Sequence, residues 1–579
     1  MYLQASQIHI YDILSFQVLP ECEENEVTAL NNNVIEKNMN LNNDIVEEDK
    51  HKEPNKTTKP AKSFTNIFFL VCIVGISLGI LLEVINGINR GQKLPPERPK
   101  YWVFSNNSDV NKKNGVLKHI HLVLERIGYE KTTNKTPWNL LWSYPTPFVH
   151  MNLRNLSAHQ KVNHFPGTGF ISCKVVLATT NSKYIPKAFK LPKDKEAFLK
   201  YAAENKNALF VQKSNTHRHV YIKNVSDIDI TSGKSFVQEY LQKPFLVDGH
   251  KFDIGVYVVL KSVNPLRVYW YKGDVLFRYC MEKYYPFDPT NLDKYIVGDD
   301  YMPTWEVPSL KHSYTGLGNT MKEAFDIYVR SKGKDPTNMW KEVQKAIAEI
   351  FLMKEPLIID KVKQYKSPDN FFEMLRFDFI LDEDLRVYLL EANMGPNLSS
   401  NHYPPNQLLY EQVIYNLFSL TGVAQRGPTR YWPVFMCKNV SKDPSRFEGV
   451  GKSCVCDVVV CNIFFRQKDT EAAKNMVSAQ KNIAVFGDQC KTTCFENCDA
   501  SDLCGLCKHC ISNRLKQHLL TAHTEFLHKG DFRRIFPPPM TPNENITSII
   551  EKVKDLSENN KLLYLWYQGK CNQDITWCT

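Results

Sequence analysis

Asp378, Glu391 and Asn393 are the residues of this sequence whose types and spacing best suit chemistry. Two carboxylates and an amide supply the hard oxygen atoms that Mg²⁺ prefers, and Mg²⁺ bound in this way commonly also holds substrate phosphates. Gly395 and Pro396 turn the chain sharply after the last candidate ligand, which favours a site. The alternative is that these acids are ordinary strand-end carboxylates, and these residues alone leave both interpretations open.

A β-hairpin must position these three side chains. Residues 377–381 and 385–390 are rich in Phe, Ile, Leu, Val and Tyr, and the acidic cluster at 382–384 is typical of a turn. If the turn centres on Glu383 and Asp384, Asp378 lies opposite Leu389. Because side chains alternate along a strand, the three candidate ligands then share one face of the hairpin.

The stretch FEMLRFDFILDEDLRVYLLEANMGPNLSS at 372–400 resembles the C-terminal signature of the tubulin tyrosine ligase-like family, which are ATP-grasp amino-acid ligases. The resemblance extends from about Tyr101 to Gly422. It implies an α/β (α+β) fold in which two lobes clamp ATP. It also implies that Asp378, Glu391 and Asn393 hold Mg²⁺.

Other segments resemble the nucleotide-binding motifs of this family, in the family's order. VNHFPGTGFISCKVVL at 162–177 and LFVQK at 209–213 each imply a lysine that reaches nucleotide phosphates. SFVQEYLQKP at 235–244 resembles the hinge strand that lines the adenine between the lobes. The residues that the resemblance assigns to the nucleotide are Lys174, Lys213, Gln238, Glu239, Tyr240, Leu241, Lys251 and Asp253.

The resemblance also assigns two cations to the reacting groups, Lys251 in the family's KFD motif and Arg278 after the strand at 267–271. The sequence departs from the family at three places. The leucine-threonine-asparagine segment that contacts the incoming amino acid in the family is not recognisable between Val297 and His312. Gly255 stands where the family has an arginine that helps bind the transferring phosphate and the acyl intermediate. The glycine-rich loop that folds over the phosphates in the family is replaced by SNTHRH at 214–219.

The chemistry implied by the resemblance needs no covalent enzyme nucleophile. ATP phosphorylates a protein carboxyl group, and the amine of an amino acid attacks the acylphosphate. Family members of this size mostly add glutamate to tubulin tails, so the expected substrates are glutamate and tubulin or another acidic protein. The alternative, favoured by Gly255 and the missing glycine loop, is a membrane-anchored pseudoenzyme that binds a partner or nucleotide without ligating anything.

Length and composition indicate several domains. A chain of 579 residues exceeds what one core normally supports, and its 43% hydrophobic content is globular. The net charge of +10 suits an acidic protein partner or a membrane surface, and no nucleic-acid motif competes with these partners. The predicted regions are a disordered tail at 1–63, a transmembrane helix at 64–82, a linker at 83–100, the ATP-grasp domain at 101–425 and a Cys-rich region at 426–579.

Apolar residues at helical spacing predict helices at 117–127, at 321–351 with an interruption near Pro336, and at 545–556. The resemblance implies a tryptophan-bearing strand of the N-terminal lobe at 138–142, and further strands are expected at 252–261 and 267–271.

The membrane span is predicted because residues 64–82 carry no charge and, at about 1.5 Å per helical residue, reach across a bilayer. Lysines before the span slightly outnumber basic residues after it, which favours a cytoplasmic N-terminus. We therefore expect a type II protein with its large part lumenal or extracellular. N-glycosylation sequons beyond the span favour the same orientation, at Asn106, Asn134, Asn155, Asn224, Asn397, Asn439 and Asn545.

The sixteen cysteines concentrate near the C-terminus, where twelve fall between Cys437 and Cys578. In an oxidising lumen such a run forms disulfides. In the cytosol, the spacing from Cys504 to Cys510 with nearby histidines would suggest zinc. The cysteines do not form two pairs at zinc-finger distance, so disulfides are the favoured interpretation.

Overall fold

The computed structural model describes residues 98–107, 110, 115–214, 221–231, 233, 235–424 and 483–579. The predicted tail at 1–63 and the predicted span at 64–82 lie outside these residues. Within the described ranges, no helix has both the length and the apolar character needed to cross a bilayer. The described part is a mixture of helices and three sheets, which confirms the predicted α/β class.

The first sheet is parallel and lies near the N-terminal end of the described chain. Its strands, in the order β2-β1-β3-β4, are β1 Lys100–Phe104, β2 Glu130–Thr132, β3 Leu140–Ser143 and β4 Lys161–Val162. Parallel neighbours need a crossover, and helix α1 (Lys118–Arg126) supplies it between β1 and β2, as predicted. β3 begins two residues later than the predicted strand.

The second sheet is small and antiparallel, with the strand order β5-β8-β6-β7. Helix α4 (Lys195–Glu204) covers it, and Phe189, Phe198 and Phe210 form a separate small core between them. The strands are β5 Ala188–Leu191, β6 Phe210–Ser214, β7 Tyr221–Lys223 and β8 Ser235–Glu239.

The third sheet is built around β9 (His250–Val263), the longest strand of the described chain. One edge of β9 pairs with β13 (Glu373–Leu381). The other edge pairs first with β11 (Leu276–Lys283) and then with β10 (Leu266–Tyr271). β9 is buried almost throughout, and its apolar side chains belong to the largest hydrophobic core of the described residues. The other strands of this sheet are β10 Leu266–Tyr271, β11 Leu276–Lys283, β12 Met302–Pro303, β13 Glu373–Leu381, β14 Val387–Met394 and β15 Phe532–Phe536.

The helical region predicted at 321–351 is two helices. α6 (Met321–Ser331) begins with a capping box between Thr320 and Glu323. α7 (Pro336–Val362) begins with Asp335 as N-cap and a proline in the first turn, and it continues eleven residues beyond the predicted end. The remaining helices before the C-terminal region are α2 Gly169–Ser172, α3 Lys174–Ala178, α4 Lys195–Glu204, α5 Pro308–Lys311 and α8 Asn406–Leu420.

The C-terminal region contains α9 Gly487–Lys491, α10 Asn513–His528, α11 Ile546–Val553 and α12 Glu558–Gln573, together with β15. Four disulfides join Cys490 to Cys507, Cys494 to Cys504, Cys498 to Cys510 and Cys571 to Cys578. The favoured disulfide interpretation is therefore confirmed for these cysteines. Ligand atoms of Cys498, His509 and Cys510 do lie close together, but two of these residues are already joined by a disulfide.

The C-terminal region also completes the third sheet, because β15 pairs antiparallel with β10. The junction is charged as well as apolar. Arg267 on β10 is fully buried, and its Nε donates to Glu525 Oε2 of α10 at 2.9 Å. Tyr269 donates to the same oxygen at 2.9 Å. A buried charge requires such a partner, so this ion pair helps to hold the C-terminal region to the sheet.

Candidate functional site

The hairpin of β13 and β14 differs from its predicted register by one residue next to the turn and by two residues at Asp378. Asp378 pairs with Glu391, whereas the predicted partner, Leu389, pairs with Phe379. One residue of this difference is already present at the turn, where Leu381 pairs with Val387. The second comes from a bulge between Asp378 and Phe379, which adds one residue to β14. The two acids therefore face each other directly across the strands.

The structure brings the three predicted metal ligands together. The Nδ2 atom of Asn393 lies 3.0 Å from Asp378 Oδ2 and 3.0 Å from Glu391 Oε1. Asp378 is almost fully buried, whereas Glu391 and Asn393 are partly exposed. Rotating the Asn393 amide by a half turn presents its oxygen to the same point. Two carboxylates and one amide oxygen are then a donor set that fits Mg²⁺.

These ligands belong to a row of charges that crosses four neighbouring strands. Asp253 on β9 pairs with Arg278 on β11, and Gly255 on β9 pairs with Asp378 on β13. Arg278 binds both oxygens of Asp253, at 2.9 and 2.8 Å, and its Nη2 also donates to Asp378 at 3.1 Å. Burial raises the pKa of Asp253, and the charge of Arg278 opposes that rise.

Arg376 is a charged member of this row that the sequence analysis missed. Its Nε donates to Asp378 Oδ1 at 2.7 Å and its Nη2 to Asp378 Oδ2 at 2.8 Å. A signal for it was present, because Arg376 lies two residues before Asp378. Strand alternation therefore places both on the same face of β13.

The two predicted phosphate lysines lie beside the acids. The Lys174 ammonium is 3.0 Å from Glu391 Oε2, and Lys213 donates to Gln238 Oε1 at 3.1 Å. Burial lowers the pKa of Lys213 to about 8; the charge of Glu391 opposes this change, and the positive charges of Lys174 and Lys251 add to it. Two lysines are thus available to bind an anion next to the candidate metal ligands.

Lys251 contacts the hinge strand. Its ammonium donates to the Tyr295 carbonyl at 2.9 Å and lies 4.7 Å from the centre of the Tyr240 ring. Burial lowers the pKa of Lys251, and the nearby charge of Asp253 raises it. These contacts suit the predicted nucleotide role of Lys251 better than the predicted role beside the reacting groups.

The hinge residues lie at the junction of the second and third sheets. The backbone N–H groups of Glu239 and Tyr240 are already bonded, to the carbonyls of Lys187 and Leu209. Leu241 is half-buried and follows the end of β8. The adenine contacts predicted for 238–241 therefore need groups other than these two donors. Residues 215–219 of the glycine-free loop lie outside the described residues.

Comparison with known proteins finds relatives that carry names of the tubulin ligase kind. The family model described as "Tubulin-tyrosine ligase family" matches residues 151–429. The chain is 36% identical over 474 residues to the "Probable tubulin polyglutamylase ttll-15" of Caenorhabditis elegans, covering 80% of this chain and 84% of that protein. It is 26% identical over 315 residues to the mouse "Tubulin polyglutamylase TTLL7", covering 49% of this chain and 34% of that protein. It is 27% identical over 361 residues to the human "Tubulin monoglutamylase TTLL4", covering 58% of this chain and 28% of that protein.

The lowered pKa of Lys213 predicts pH-dependent binding of ATP. A phosphate favours the charged lysine, which in the free protein is lost as the pH rises through about 8. Titration calorimetry with ATP and Mg²⁺ should therefore show affinity falling about eightfold between about pH 7.5 and pH 9. The Lys213→Arg protein is the control, because arginine stays charged and should flatten the profile. A wild-type affinity that is constant over this range would exclude a phosphate contact by Lys213.

Proposed function

This chain belongs to the tubulin-tyrosine ligase family, and on that premise we propose that it is an ATP-dependent ligase that adds glutamate to protein carboxyl groups. The named relatives are polyglutamylases and a monoglutamylase, which supports glutamate as the amino acid added. The observation that carries the proposal is the convergence of Asp378, Glu391 and Asn393 beside Lys174. We further propose that the sheets form the two lobes of an ATP-grasp clamp.

In the first step, a carboxylate oxygen of the acceptor attacks the γ-phosphorus of ATP. The new P–O bond forms as the bond to the β-phosphate oxygen breaks, which gives an acylphosphate and ADP. Lys174 and Lys213 hold the phosphates in place and offset their charge. Lys251 and Tyr240 support the hinge side of the nucleotide.

In the second step, the glutamate amine attacks the acyl carbon, loses a proton and displaces inorganic phosphate, so that an amide bond remains. Negative charge builds up on the acyl oxygen and on the departing phosphate. Arg278 is a fixed cation next to this position, because Asp253 holds two of its nitrogens. A cation that does not have to reorganise stabilises the transition state most effectively.

Mg²⁺, held by Asp378, Glu391 and Asn393, would neutralise phosphate charge and orient the transferring group. The fit rests on the donor set described above, two carboxylates and one amide at a common point. Strand β13 lies beneath the metal ligands and excludes water there, because Asp378 and its flanking residues are buried.

The acceptor is proposed to be the acidic tail of tubulin, since the relatives are named for tubulin. The net charge of +10 suits an acidic polypeptide. Another acidic protein would meet the same chemical requirements. The competing proposal is a pseudoenzyme, which Gly255 and the glycine-free loop favour.

Incorporation of radiolabelled glutamate into tubulin by the full chain, purified in detergent with ATP and Mg²⁺, tests the ligase proposal. The Glu391→Gln protein should lose at least about a hundredfold in rate, because a charged ligand beside the phosphates is removed. Glu383→Gln is the matched control, since Glu383 lies on the same hairpin but is 60% exposed and pairs with Lys243 at its edge. Equal incorporation by wild type and Glu391→Gln would leave the pseudoenzyme as the better account.

We propose that the large part of the chain lies in the secretory lumen or outside the cell, anchored by one type II membrane helix at 64–82. Four disulfides in the C-terminal region support an oxidising compartment. The six described sequon asparagines are all exposed, so each is open to glycosylation. This location conflicts with tubulin as the acceptor, because tubulin is cytosolic. If the large part is lumenal, the acceptor is another acidic protein; if the orientation is reversed, tubulin remains the proposed acceptor.

Treatment of the protein from animal cells with an N-glycan-cleaving glycosidase decides the orientation. A lumenal large part should lose about two to three kilodaltons of mass for each occupied sequon, and the change should disappear when the sequon asparagines are replaced by glutamine. An unchanged mass would instead favour a cytosolic catalytic part and tubulin as the acceptor.

A further inference from the structure

Gly255 leaves a space on β9 that another side chain fills. A Cβ atom added to Gly255 would lie 2.8 Å from Cδ and 3.2 Å from Nε of Arg376. The side chain of Arg376 therefore crosses over Gly255, and it does so because that position has no side chain. The glycine that removes the family's arginine from β9 is the same glycine that admits an arginine from β13.

The guanidinium of Arg376 is held in place with one nitrogen to spare. Nε and Nη2 bind the two oxygens of Asp378, which fixes the plane of the group. Within the described ranges of the chain, Nη1 of Arg376 has no hydrogen-bond partner. Arg278 reaches the same carboxylate from the other side of β9. Two arginines thus meet over one candidate metal ligand.

We infer that Arg376 supplies, from the neighbouring strand, the cation that the family places at the position of Gly255, and that its free Nη1 binds the transferring phosphoryl group. The inference rests on the proposed function, because it assigns a role at the same ATP site. It removes the main argument for a pseudoenzyme, since the charge is relocated and not lost.

The relocation preserves the geometry that a phosphate contact needs. Gly255 pairs directly with Asp378, and Arg376 lies two residues away on the same face of β13. An arginine on either strand therefore reaches the space above this pair. The alternative is that Arg376 only holds Asp378 in position, a structural role that requires no contact with ATP.

A comparison of ATP and ADP binding separates these roles without any turnover. If Arg376 contacts the γ-phosphate, wild type should prefer ATP to ADP, and Arg376→Gly should lose about ten- to a hundredfold of that preference. Arg376→Gln, which can still donate to Asp378, should lose it equally. The ADP affinity of Arg376→Gln should stay close to the wild-type value.

The decisive variant exchanges the two residues. The Gly255→Arg/Arg376→Gly protein returns the arginine to β9 and should recover most of the ATP preference. Gly255→Ala alone should displace the Arg376 side chain and reduce the preference, whereas the same alanine in the Arg376→Gly background should have no further effect. Full ATP preference in Arg376→Gln, or no recovery in the folded double variant, would overturn the inference.

The glutamate-incorporation rate of the same proteins distinguishes this failure from failure of the proposed function. If wild type and Arg376→Gln are both active to the same degree, the inferred role of Arg376 is refuted and the ligase proposal stands. An inactive wild type that still shows Arg376-dependent ATP preference would refute the ligase proposal and leave the phosphate contact supported.

Discussion

The site depends on the burial of one carboxylate, Asp378, at the centre of a sheet. A buried charge is costly unless hydrogen-bonding partners surround it. Asp378 meets this requirement with donors from three strands: Arg278 on β11, Arg376 on β13 itself and Asn393 on β14. Removing any of these donors would leave part of the charge uncompensated. Glu391 and Asn393 themselves are partly exposed, and a metal and phosphates are expected on that side.

The row of charges requires a fixed strand register. A shift of one residue in any strand would turn its charged side chains to the opposite face. β9 fixes the register by pairing along both edges, with β13 on one side and β10 and β11 on the other. The C-terminal region contributes to this rigidity from a distance, because β15 pairs with β10 and Glu525 neutralises Arg267 there. The disulfide-bonded region is therefore part of the support for the site.

Much of this arrangement could be predicted from sequence where the signal was local. The hairpin, its acidic turn and the shared face of Asp378, Glu391 and Asn393 follow from strand alternation. The bulge beside Asp378 could not be predicted, because one added residue leaves the apolar pattern of β14 unchanged. β15 was missed for a related reason: FRRIF is short and carries two arginines, and its pairing with β10 is set by the tertiary fold.

Arg376 shows a different limit of motif comparison. A family motif is compared position by position along one strand, so Gly255 appears as a loss of charge. In the structure, the side chain of Arg376, from the adjacent strand and far away in sequence, lies over the Cβ position that Gly255 lacks. The physical requirement applies to a location in the sheet, and more than one strand can supply the residue.

The most direct test of the central claim is calorimetric titration of the full chain with ATP, with Mg²⁺ present and then with the metal chelated. If Asp378, Glu391 and Asn393 form a metal–nucleotide site, Mg²⁺ should tighten ATP binding at least about tenfold in wild type, and Asn393→Ala should lose most of that gain. An ATP affinity that is the same with and without Mg²⁺ would contradict the account.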